Sequence, residues 1–274
     1  HDLPDSPIPD ISPEDFALTI NARQRGRAQA GDGWRMDHIK DLNSAPTILN
    51  AAGDRDDPLG PLREFCITYA AGNLPIDEHY YLLLAGGKIA ALAKPGSSAP
   101  RPVVIVDIFR RLGMAAMIRA SKDALGDYFG SQGEYGVGIE APGQILSWTM
   151  KLYQEQDPWS TQLWSDLTNG FNAIHRQAIE KGLRQFPHNL QWLRKSFHSF
   201  YSGTSTLQYP QRTENGPNIV NITSEGGIFQ GDSASGIFFS AGLQSAFNTL
   251  RNEYPEAVLV SEVSRRLKRV DTRQ

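Results

Sequence analysis

Long apolar runs are missing from this chain of 274 residues. None reaches the roughly 18 apolar residues that a membrane-spanning helix needs, so no membrane partner is expected. A second cysteine is missing as well. Cys66 alone cannot close an internal disulfide, which favours a reducing, intracellular compartment. Its neighbours in Phe65-Cys66-Ile67 point to a buried structural thiol rather than a nucleophile. Basic charge is not in excess either, because the formal net charge is −3. That excludes a uniformly basic nucleic-acid binder but leaves room for a local basic groove, since fields follow where charges cluster. The opening His1-Asp2-Leu3-Pro4 has neither a Met nor a signal-peptide pattern and reads as a fragment or a processed product. His175, His188 and His198 lack metal-ligand spacing with acidic partners.

What is present is ordinary for a globular protein with a real core: 40% hydrophobic and 21% charged residues. Four prolines among the first 14 residues make an extended lead-in. Ser12-Pro13-Glu14 then starts a helix through a serine cap and a first-turn proline. Further helices are expected over Arg35 to Leu42, Leu62 to Gly72, Ile108 to Phe129, Gln144 to Gln156, His175 to Phe186 and Gly236 to Leu250. Strand-like sequence covers Ala85 to Lys94, Val103 to Val106, Leu163 to Leu167 and Ala257 to Val260. Thr206 to Tyr209 and Asn218 to Ile222 flank the turn Glu214-Asn215-Gly216-Pro217 and predict a hairpin. Strands and helices alternate without a strict repeat, which favours an α+β fold.

Four segments stand out. In the first, Lys94 and Arg101 flank Pro95-Gly96-Ser97-Ser98, a turn bearing two cations that can bind phosphate oxygens. The second, Asp107-Ile108-Phe109-Arg110-Arg111-Leu112, opens an amphipathic helix and is assigned structure only. The third, Trp164-Ser165-Asp166-Leu167-Thr168-Asn169-Gly170-Phe171, puts an Asp at a strand end with an aromatic five residues on. The fourth, Glu225-Gly226-Gly227-Ile228-Phe229-Gln230-Gly231-Asp232, is a glycine loop opening a helix, where free N–H groups and close backbone approach suit a ligand.

Taken in order, the four resemble the fingers and palm of a reverse transcriptase, an RNA-directed DNA polymerase of retrotransposon type. The resemblance implies an α+β right-hand polymerase fold whose antiparallel, ferredoxin-like palm sheet is backed by helices. It implies an N-terminal extension over residues 1–60, a fingers-like region over 61–160 and a partial palm over 161–274, without a thumb. It also implies roles: Lys94 and Arg101 clamp the nucleotide triphosphate, and Asp166 and Leu167 bind Mg2+. Phe171 then stacks under the nucleotide sugar, while Gln230 and Gly231 lie beneath the templating base.

The pattern departs from the family at the third palm motif. Phe247 to Arg251, Tyr254-Pro255 and Ala257 to Val260 reproduce the family's approach to an Asp-Asp pair, yet that pair falls on Ser264-Arg265. Serine is a poor magnesium ligand, and arginine brings positive charge to a site for two cations. Asp271 is the only later candidate, and using it requires about six extra residues. The tail Arg265-Arg266-Leu267-Lys268-Arg269 is basic and helical in pattern, a solvated helix end or a nucleic-acid or protein contact. Three functions are therefore open: an inactive reverse-transcriptase-like domain kept as a binding or scaffold module, a fragment of an active polymerase acting on an RNA or DNA template-primer, or a structural subunit of a protein assembly.

Overall fold

The computed structural model describes residues 6–24, 26, 33–44, 57–77, 80, 84–94, 97–159, 167–214, 216–255 and 257. Within them the fold is α+β, built on one small mixed sheet. Helix α1 (Pro13–Asn21) starts as the serine cap predicts, with Ser12 Oγ accepting from Asp15 N at 3.0 Å. Glu14 and Asp15 add negative charge at the positive end of its dipole. Helices α2 (Met36–Asn43) and α3 (Gly60–Ala70) follow. Cys66 on α3 is buried, and that burial pushes its thiol well above the ordinary range, so it stays protonated.

Strands β1 (Gly87–Lys94) and β2 (Ser97–Ile105) form the first hairpin. Lys94 pairs with Ser97, so Ser97 and Ser98 belong to the strand and not to the expected hairpin tip. The helix expected over Ile108 to Phe129 divides at Ser121 into α4 (Ile108–Ala120) and α5 (Lys122–Gly130). Helix α6 (Pro142–Gln156) buries none of its residues. The chain then continues through α7 (Gly170–Ala173) and α8 (Arg176–Leu183) to α9 (Trp192–Tyr201), which no reading of the sequence above anticipates. Its pattern is nonetheless amphipathic, with Trp192, Leu193, Ser196, Phe197, Phe200 and Tyr201 all buried at helical spacing.

The second hairpin pairs β3 (Ser205–Thr213) with β4 (Gly216–Ser224), and α10 (Ser235–Glu253) closes the described fold. The sheet runs β2-β1-β3-β4. Both hairpins are antiparallel, but β1 and β3 run parallel through Gly87↔Leu207 and Lys88↔Gln208. This sheet is therefore mixed. The two stretches expected to supply palm strands, 163–166 and 258–260, lie outside the described residues. Leu167 is 52% exposed at the entry to α7.

The core joins α1, α3, α4, α8, α9 and α10. Phe238 on α10 is 1% exposed and meets Phe197 edge-on at 5.1 Å and Tyr201 at 5.9 Å. Edge-to-face rings add to the stabilisation from apolar burial. Phe238→Ala is expected to lower the unfolding free energy by about 3–5 kcal/mol in urea titration. Ile219→Ala, on the exposed face of β4, should change it by no more than about 0.5 kcal/mol. Similar losses at both positions would contradict this assignment of the core.

Candidate functional site

The glycine-rich connection between β4 and α10 is held at both ends and from behind. At its far end Gly231 rests on β2, where a Cβ would come within 1.9 Å of the Val104 carbonyl oxygen. Nearer β4, Gly227 adopts a positive φ of +63°, and a Cβ there would lie 2.4 Å from the Asn172 carbonyl. Between them Ile228 N donates to Phe171 O at 2.8 Å. The loop thus wedges between β2 and α7, and Phe171 packs on Phe239 of α10 with ring centroids 4.9 Å apart.

Behind the loop lies a buried charge pair. Asp107 caps α4 by accepting from Phe109 N at 2.8 Å and Arg110 N at 3.0 Å. The capped turn carries Arg110 into the core, where it donates through Nη2 to Asp232 Oδ2, each side chain being 1% exposed. Tyr201 Oη donates to the same oxygen at 2.7 Å, and Asp232 Oδ1 accepts from Ala234 N at 3.1 Å at the start of α10. The Arg110 guanidinium lies 3.9 Å from the centroid of Phe200, a cation–π contact out of water. Burial is the largest influence and opposes its charge, but Asp232, Tyr201 and Tyr69 together outweigh it and raise the Arg110 pKa. Burial first, and Asp232 second, push the Tyr201 phenol far above its ordinary range. Arg110 therefore stays charged and Tyr201 neutral at any physiological pH.

A second arginine fixes the near end of the loop. Arg176, at the first turn of α8, donates from Nε to Gly227 O at 2.9 Å and from Nη1 to Gly203 O at 2.6 Å and Tyr201 O at 3.2 Å. Its Nη2 reaches Gly226 O and Ser224 Oγ, both at 3.4 Å. Partial burial lowers its pKa from the usual arginine value. Five acceptors on one guanidinium make it a staple between the loop and the end of α9.

Of the residues singled out in the sequence, this geometry brings Phe171 on α7 together with the loop that carries Gln230 and Gly231. Arg101 is exposed on β2, three residues before the Val104 carbonyl that supports Gly231, a separation of roughly 10 Å along the strand. Gln230 is exposed beside Gly231, and Phe171 is half-buried under the same loop. Lys94 ends β1, and its side chain lies outside the described residues. Asp166 and Asp271 also lie outside them. Among the described residues no group of three or more His, Cys, Asp or Glu could hold a metal ion. The carboxylate in the glycine loop, Asp232, does not fit Mg2+, because Arg110, Tyr201 and the α10 backbone already occupy it.

Sequence reasoning passed over Arg110, Asp232 and Arg176. For Arg110 a signal exists: Arg110, Met114 and Met117 share one helical stripe, and an arginine on an apolar stripe requires a buried counter-charge. Comparison of the chain with protein-family models and with characterised proteins yields no match.

Removing one partner from a buried pair leaves the other charge uncompensated. Asp232→Asn is therefore expected to cost about 3–5 kcal/mol of stability. The double variant Arg110→Met/Asp232→Asn should recover much of that loss, because both charges leave together while Tyr201 keeps an acceptor. Chemical unfolding of the two single variants and the double variant measures the coupling. Strict additivity would contradict the pairing.

Proposed function

We propose that this chain is a reverse-transcriptase-like domain that has lost polymerase chemistry and acts as a nucleotide-binding or scaffold module. The supporting observation is the seating of Gly231 on the Val104 carbonyl, next to the exposed Gln230 and on the strand that carries the exposed Arg101. Arg101 offers a fork of donors for phosphate oxygens, and Gln230 offers a carboxamide for a base or sugar edge. Phe171, wedged beneath the loop, provides an apolar floor. Lys94 is the second phosphate cation in this reading, two residues along β1 from Leu92, which pairs with Arg101.

Loss of polymerisation rests on charge at the metal site. Two-metal transfer needs carboxylates to hold both ions about 3.5–4 Å apart, and Asp166 stands alone where the family carries a further pair. Ser264 and Arg265 occupy the expected positions of that pair, and Arg265 repels the cations. A template-primer and a nucleotide triphosphate are the ligands of this reading, with Mg2+ accompanying the triphosphate.

The expected outcome is no measurable primer extension with magnesium and all four deoxynucleotides. Nucleotide binding, followed by fluorescence of a labelled triphosphate, should be weak. Arg101→Ala should weaken it about tenfold, the loss of one charge-assisted contact. Robust template-dependent extension that disappears in Asp166→Ala would overturn the proposal and make Asp271→Ala the next test.

A further inference from the structure

Basic charge is unevenly distributed in a chain whose net charge is −3. Between His175 and Ser202 stand Arg176, Lys181, Arg184, Arg194 and Lys195 against a single acid, Glu180. Helices α8 and α9 carry these residues and border a cleft of about 740 Å³, lined by Arg176, Glu180, Lys181, Arg184, Arg194 and, from the start of the glycine loop, Glu225. We propose that this cleft is a second binding site, for the phosphate backbone of a single nucleic-acid strand.

Glu180 organises the cleft without neutralising it. Its Oε1 accepts from Arg184 Nε at 3.1 Å and from Arg194 Nε at 2.8 Å. One carboxylate therefore orients two guanidinium groups. Each is held through Nε, and among the described residues the structure records no further acceptor for their terminal nitrogens. Those terminal nitrogens form the fork that suits two oxygens of one phosphate. Lys181 Nζ donates to Ser245 Oγ at 3.3 Å, a neutral contact that steadies the lysine and leaves its charge uncompensated. Arg176 plays a different part, since its donors go to carbonyls and to Ser224, which makes it the fixed wall of the cleft.

The lining favours a phosphate backbone over a protein partner. Its two aromatic residues, Phe197 and Tyr201, are 3% and 1% exposed and belong to the core. A protein partner gains most of its affinity from exposed apolar or aromatic anchors, and the lining offers none. Phosphate contacts need only cations and donors. The cations also extend along α8 and across to α9, an array longer than one small anion can engage. This site stands apart from the junction at Arg101, because the loop meets the cleft at its Glu225–Gly227 end and meets β2 at Gly231.

Fluorescence anisotropy of a labelled single-stranded oligonucleotide with the full chain tests the site. Binding is expected to fall linearly with salt on a log–log plot. Lys181→Ala/Arg184→Ala should weaken it about tenfold and reduce the slope by roughly 0.7 for each cation removed. Both side chains are exposed, so the variant should keep its unfolding midpoint. Lys151→Ala, on α6, should bind as the parent does. The double variant should bind the labelled triphosphate as the parent does, which separates this site from the proposed nucleotide junction. Unchanged oligonucleotide affinity in the double variant would overturn the proposal. So would displacement by polyglutamate as effective as by unlabelled oligonucleotide, which would assign the cleft to an acidic peptide. Displacement by inorganic phosphate or pyrophosphate at the same phosphate concentration would likewise overturn it, in favour of a small anion.

Discussion

A guanidinium and a carboxylate that are both removed from water must stay together, and Arg110 and Asp232 are such a pair across 122 residues of chain. Separating them would leave a buried charge without compensation, a cost of several kcal/mol. The pair therefore fixes the start of α4 against the start of α10. Whatever adjoins those two helix starts inherits the constraint: β2 leads into α4, and the glycine loop leads into α10. The contact of Gly231 with Val104 follows from it, as does the hydrogen bond from Ser233 Oγ to Arg111 O at 3.2 Å.

The same loop is secured at its other end by neutral acceptors. Arg176 satisfies carbonyls of Tyr201, Gly203, Gly226 and Gly227, backbone groups that would otherwise compete for water at a crowded turn. Its charge has no carboxylate partner among these contacts, so it adds to the positive field of the α8–α9 cleft. One arginine locks the loop by ion pairing in the core, and the other locks it by hydrogen bonding at the surface. The backbone between them is positioned without the loop needing a hydrophobic face of its own. An exposed Gln230 can then be presented from a rigid support, as a binding site requires.

Local signals in the sequence carried much of this fold. Ser12-Pro13 and Asp107 act as helix caps, and the turn around Asn215-Gly216 separates two runs of strand formers, so those elements were legible residue by residue. Helix α9 was also legible in its 3.6-residue apolar spacing but was overlooked behind Pro187. The division at Ser121 was hidden, because apolar periodicity runs through both α4 and α5. The parallel pairing of β1 with β3 was not legible at all, since nothing local selects a neighbour more than a hundred residues away. Site residues followed the same rule. Gln230, Gly231 and Arg101 stand out in short strings, whereas Arg110 and Asp232 acquire meaning only through a contact between distant segments. Arg176 binds backbone carbonyls, which leave no mark on the side-chain sequence.

In the proposed function, one junction between β2 and the glycine loop receives a nucleotide. Amide hydrogen–deuterium exchange of the full chain, with and without a magnesium–nucleoside triphosphate, tests this most directly. Slower exchange confined to residues 101–105 and 228–233 on addition of nucleotide is the predicted result. Unchanged exchange in both segments at saturating nucleotide, or protection appearing only elsewhere, would contradict it.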